Sequence, residues 1–213
     1  MPNAAAQPRG APAPTPTPLV LVQGRVDGAD NRFSPPDGDS SAGGTGQTVD
    51  GIACSPTMTT NKYHVHFYLG LLVNGVQTAI PDQIGLVGPG PISNGFTASA
   101  HCYYDIHTHD ATGMIHVESA STASDATTMY PLGYAFDIWG IKVGPDNVGP
   151  FAGQVRTFVD KVPLKTLVAN SYTEYTGNPA SIPIYSHEAV WLEVGPTFVL
   201  PPSIPAVRFY TEY

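Results

Sequence analysis

Four of the seven histidines in this chain form two His-x-His pairs, His64 with His66 and His107 with His109, and His116 follows soon after the second pair. In an extended strand, residues i and i+2 point to the same face. Two imidazoles spaced in this way reach one ion at about 2.0–2.1 Å. Histidine is the commonest metal-binding side chain and suits zinc, copper, iron and nickel. Three or four such nitrogens from neighbouring strands make a copper or zinc site, and a site with three ligands and an open position acts on bound water or oxygen. The competing reading is a polar strand face whose histidines hold no metal.

The elements around the pairs decide between these readings. From Tyr63 the sequence alternates: Tyr63, Val65, Phe67, Leu69, Leu71 and Val73 form one apolar face, and His64, His66 and Tyr68 the other. Asn74-Gly75 follows, a strong hairpin signal, with residues 76–81 as the returning strand. A second hairpin runs from Cys102 to His109, turns at residues 110–113, and returns through Met114–Ser119. A four-residue turn pairs His107 with His116, His109 with Met114 and Asp105 with Glu118. Cross-strand partners have Cβ atoms about 4.5–5.5 Å apart, so Asp105, His107, His109, Met114, His116 and Glu118 gather on one face. Cys102, Tyr104, Ile106, Thr108, Ile115 and Val117 fall on the other, and a register slip of one residue would scatter the set.

The expected centre is one copper or zinc ion held by His64, His66, His107 and His109. His116 serves as a fifth or alternative ligand and Met114 as a weak thioether ligand. Glu118 and Asp105 orient the imidazoles or act as acid–base groups. His101 shares the parity of His107 but lies about 20 Å along a strand, too far to join. His187 opens a later strand, where a capping hydrogen bond is the expected role.

Composition frames the rest. Only 12% of the residues are charged, Gly and Pro number 22 each, and the net charge is −8 without acidic runs. Abundant Thr, Val, Ile and Tyr with frequent turn formers predicts an all-β fold, an antiparallel sandwich or partly closed barrel. A thin negative charge excludes the basic patch that nucleic-acid binding needs. No apolar stretch of about 18 residues spans a membrane. Residues 1–18 are Pro-rich and predict an extended arm, residues 19–213 a single all-β domain with its histidine motifs in 62–140. The strand expected at 19–26 offers a route to self-association: residues 1–26 could pair with another subunit's sheet edge, making a filament or surface-layer subunit. Two cysteines, Cys54 and Cys102, allow one disulfide or two buried thiols; low charge and the Pro/Thr-rich arm favour the disulfide and a secreted, periplasmic or cell-surface location. Residues 130–144 predict aromatic-rich strands with Asp137 as a buried hydrogen-bonding residue, Asp160-Lys161 predicts a hairpin turn, and residues 187–195 a final strand.

The joint blocks HVHFYLGLLVNG, CYYDIHTHDATGMIHVES, YPLGYAFDIWG and IPIYSHEAVWLEVGP resemble an uncharacterised family of secreted bacterial β proteins over about residues 48–200. The resemblance implies an extracytoplasmic β protein with a site at His64, His66, His107, His109 and His116, and brings no established activity with it. The hairpin turn and the Pro-rich arm depart from the family pattern.

Overall fold

The structure is a computed structural model that describes residues 43–58, 63–119, 130–161, 168–169, 171–202 and 204–205. The Pro-rich arm, the strand expected at 19–26 and the arm-exchange surface of residues 1–26 lie outside the described residues. The fold is all-β with one short helix, and among the described residues the strands form no closed barrel.

Seven strands make the main sheet: β1 (Tyr63–Val73), β2 (Val76–Thr78), β3 (Ile106–His107), β4 (Met114–Ser119), β5 (Val155–Lys161), β6 (Thr173–Tyr175) and β7 (Glu188–Val194). Their order is β6-β5-β7-β1-β4-β3, with β2 also pairing to β1. β1 is central. Its first half pairs antiparallel with β4 and its second half with β2, while β7 runs parallel along the opposite edge. Among the described residues that parallel pair is the one departure from an antiparallel sheet. Asn74 and Gly75 turn the β1–β2 hairpin with φ of 52° and 77°, the left-handed pair that a tight turn of matching twist demands.

The alternation expected for β1 holds. Phe67, Leu69, Leu71 and Val73 face the larger apolar cluster, with Ile115 and Val117 of β4 and Val190, Leu192 and Val194 of β7. The other face carries a second cluster of Tyr68, Leu72, Met114, Phe158, Ala189 and Trp191. Gly70 has no side chain because the Trp191 ring lies where its Cβ would stand. Four two-stranded ribbons complete the described fold. Two of them matter for the site: Leu86–Pro89 with Ala100–Tyr103, and Ile92–Ser93 with Phe96–Thr97.

Two expectations fail. The aromatic segment is helical, α1 (Leu132–Trp139), and not strand. Leu132, Ala135, Phe136 and Trp139 recur at i, i+3, i+4 and i+7 and all are buried, so the helical period was present beneath strand-favouring side chains. Gly140 ends the helix in the left-handed conformation and donates its N–H to the Phe136 carbonyl. On this helix Asp137 falls on the exposed face, beside Asp50, and is not the buried residue expected. Asp160-Lys161 is likewise no turn. β5 runs straight through it, paired to Ala189 and Glu188, because the ladder with buried β7 outweighs local turn preference.

Candidate metal centre

The second face of the sheet changes character along β1. Next to the Trp191 cluster it becomes a set of histidines, delivered by β1, by β3 with the bend that follows it, and by β4, and the β3–β4 register is the expected one. His66 lies opposite His116 and His64 opposite Glu118 across β1 and β4. His107 lies opposite His116 across β3 and β4. Asp110 secures the β3–β4 turn, its Oδ1 accepting from the Thr112 backbone N–H at 2.9 Å and hydroxyl at 2.6 Å. Nearby, Cys54 and Cys102 form a disulfide that ties residues 49–58 to the ribbon leading into β3.

The ring nitrogens converge. His64 Nε2 stands 2.9 Å from His66 Nε2, which stands 2.9 Å from His116 Nδ1. His107 Nε2 and His109 Nε2 are 3.1 Å apart. Ligands bound at about 2.05 Å stand about 2.9 Å apart at a right angle and about 3.3 Å apart at the tetrahedral angle. These separations therefore match nitrogens around an ion. Glu118 Oε1 lies 3.2 Å from His64 Nε2, 3.6 Å from His116 Nδ1 and 4.0 Å from His107 Nε2. The donors fall into two groups that share His116. One is His107, His109, His116 and Glu118, and the other is His64, His66 and His116. In each group the ligand atoms lie within 4.8 Å of one another.

Backbone carbonyls fix two of the tautomers. His107 Nδ1–H donates to the Tyr104 carbonyl at 2.8 Å, and His109 Nδ1–H donates to the Thr97 carbonyl at 2.6 Å. A carbonyl only accepts, so each Nδ1 carries the proton, and each neutral ring turns an Nε2 lone pair toward the other. Two lone pairs at 3.1 Å repel and make no hydrogen bond. A cation between them removes the conflict. A proton is a poor candidate, because burial holds the His107 imidazole well below its ordinary range and the neighbouring His109 and His116 push it the same way. Carbonyl-anchored Nδ1–H groups are also the usual means of aiming metal-binding imidazoles. His66 is pushed down to about 3 by burial first and by His116 second. Burial lowers His109 and His64 as well, with Glu118 pulling both partly back. Four of the five imidazoles are thus held toward the neutral form beside the buried Glu118 side chain, an arrangement that can hold a metal ion.

The remaining expected residues separate. Asp105 accepts from the Tyr130 hydroxyl at 2.9 Å, burial raises its pKa, and it stands outside both groups. Met114 is buried in the Trp191 cluster, so its thioether serves packing. His101 is exposed and belongs to neither group. His187 bonds Ser186 Oγ through Nδ1 at 2.7 Å and donates its backbone N–H to the His66 carbonyl at 2.8 Å. It therefore stands beside the cluster, brought there by the parallel β1–β7 pairing.

Sequence reasoning missed the second ring of contacts. The Phe96 ring stacks on His109, with centroids 4.7 Å apart and planes 16° from parallel. The Thr97 N–H donates to the His109 carbonyl at 2.8 Å, so ribbon 92–97 clasps His109 from both sides. Asn94-Gly95 was its readable turn signal. Beside His107 and Glu118 lies a cavity of about 10 Å³, also lined by Ser55, Thr57, Met58, Tyr103, Tyr104 and Asp105. That is room for one water-sized molecule.

No family model, no curated protein and no solved structure matches this chain significantly. No helix among the described residues is long and apolar enough to cross a membrane.

Proposed function

We propose that this is a secreted metal-binding protein of the histidine-rich β family its motifs resemble, and that it holds copper or zinc in the His64, His66, His107, His109, His116 and Glu118 cluster. One observation carries the reading: the Nδ1–H groups of His107 and His109 are committed to backbone carbonyls, which leaves two Nε2 lone pairs facing each other at 3.1 Å. Imidazole with one carboxylate suits both metals, and copper(II) binds such sets more tightly than zinc when both are free. Both cysteines are in the disulfide, so no thiolate competes as a ligand. The disulfide supports an oxidising compartment outside the cytosol. A water-sized cavity borders His107 and Glu118, and for a copper-loaded site oxygen or peroxide chemistry is the activity to assay.

The test is metal content, by plasma mass spectrometry, of protein purified without chelators or a polyhistidine tag, beside a His107→Ala/His109→Ala variant. Copper or zinc near stoichiometry in the parent, reduced in the variant, supports the reading. Metal-free protein that also stays metal-free after reconstitution refutes it and returns the histidines to a structural role.

A further inference from the structure

We infer that the cluster is a dinuclear centre, with one ion at His64 and His66, a second at His107 and His109, and Glu118 bridging them. This rests on the metal-binding reading and concerns how many ions the site takes. Five imidazoles and a carboxylate exceed the four ligands that a copper or zinc ion usually accepts from protein. The donors also do not form one shell. They form two groups joined at His116, and each His-x-His pair has its own close nitrogen separation.

Glu118 sits between them. Its Oε1 reaches toward His64 in the first group and toward His107 in the second, at 3.2 and 4.0 Å. Its Oε2 is buried with no hydrogen-bond partner among the described residues. A buried carboxylate oxygen without a donor is costly, and a bound cation is a partner that removes the cost. Oε1 is the atom that faces both groups, so it is the oxygen placed to bridge two ions at the separation of about 3.5–4 Å typical of two-metal sites, with Oε2 left to bind one of them. His116, central in both groups, completes the coordination of one ion. The chemical class follows from the geometry. Two ions this close bind a small bridging ligand such as hydroxide, and the cavity beside His107 and Glu118 has room for one water-sized molecule.

Stoichiometry tests this directly. The metal-free full-length protein is dialysed against buffered free zinc, and bound zinc is counted per chain. The expected result is two ions per chain in the parent and one in each of His64→Ala/His66→Ala and His107→Ala/His109→Ala. One ion in the parent, lost in either double variant, overturns the dinuclear centre and leaves a mononuclear site standing. No bound zinc or copper at all overturns the metal-binding reading as well. Because the variants are in the buried face and can misfold, a second measurement uses the parent alone. Copper(II) is added to one and then two equivalents and followed by electron paramagnetic resonance. The integrated signal should rise to one spin and then fall as bridged ions couple. A signal that integrates to two independent spins refutes bridging by Glu118.

Discussion

Burial of the imidazoles should make metal affinity less dependent on pH than that of an exposed histidine site. An ordinary histidine titrates near 6.5, so moving from pH 7 to pH 5 protonates it and costs about 1.4 log units of metal affinity, close to 2 kcal/mol, per ligand. Three ordinary ligands would raise the dissociation constant about 10⁴-fold by this proton competition. His66, pushed down to about 3, is still neutral at pH 5, and burial moves His107 and His109 the same way. The dissociation constant should therefore rise by well under the roughly 10⁴-fold of three ordinary ligands over this interval. The assay is competition against a chelator of known proton affinity at pH 7, 6 and 5, with near-ultraviolet circular dichroism confirming the folded state at each pH. A rise of 10³-fold or more in folded protein would refute the reasoning, because the imidazoles would then be taking up protons as exposed ones do. The linked cost falls on the metal-free fold. Its histidines bind protons less readily folded than unfolded, so stability is present above about pH 6.5 and is lost as pH falls toward 3. For His66 alone that loss is about 2 kcal/mol at pH 5.

Glu193 titrates in the opposite sense: burial raises it to about 7, and its unpartnered Oε1 is buried in β7. Stability from its neutral form is lost as pH rises from about 4.5 through 7, so Glu193→Gln should stabilise the protein by up to about 3 kcal/mol at pH 8 and by under about 1 kcal/mol at pH 5, measured by urea denaturation; a gain equal at both pH values would contradict this. Replacing Cys54 and Cys102 by Ser opens a loop with a sequence separation of 48. On chain entropy that removes about 4 kcal/mol, and a loss below about 1 kcal/mol would mean that the clamp constrains little. Gly70→Ala sets a methyl group against the Trp191 ring. It should cost about 1–3 kcal/mol and alter the near-ultraviolet spectrum, and an unchanged spectrum and denaturation midpoint would contradict the packing described.

The all-β class and the gathering of the histidines on one face were both legible, for a physical reason. His-x-His spacing, the alternation of β1 and the turn at Asp110–Gly113 are local, and together they place His107 opposite His116. The pairing of His66 with His116 needs β1 to lie beside β4, a strand order that the sequence left open. What stayed hidden depends on distant partners. The parallel approach of β7, which sets His187 beside His66, leaves no local trace. The carbonyls of Tyr104 and Thr97, which fix the tautomers, belong to backbone whose direction no side chain announces. Met114 has the parity of the histidines and still packs with Trp191, because the face changes from polar to apolar along its length. Helix α1 was misread because its aromatic and β-branched residues favour strands, while its 3.6-residue period was satisfied only by the cluster beneath the sheet.

X-ray absorption at the edge of the bound metal tests the central claim most directly, because it sees the ligand atoms themselves. The account predicts a first shell of nitrogen and oxygen at about 2.0–2.1 Å, with the outer-shell scattering of several imidazole rings and no sulfur near 2.3 Å. A shell of oxygen alone, or one containing sulfur, would contradict it, because the metal would then be held somewhere other than by these histidines.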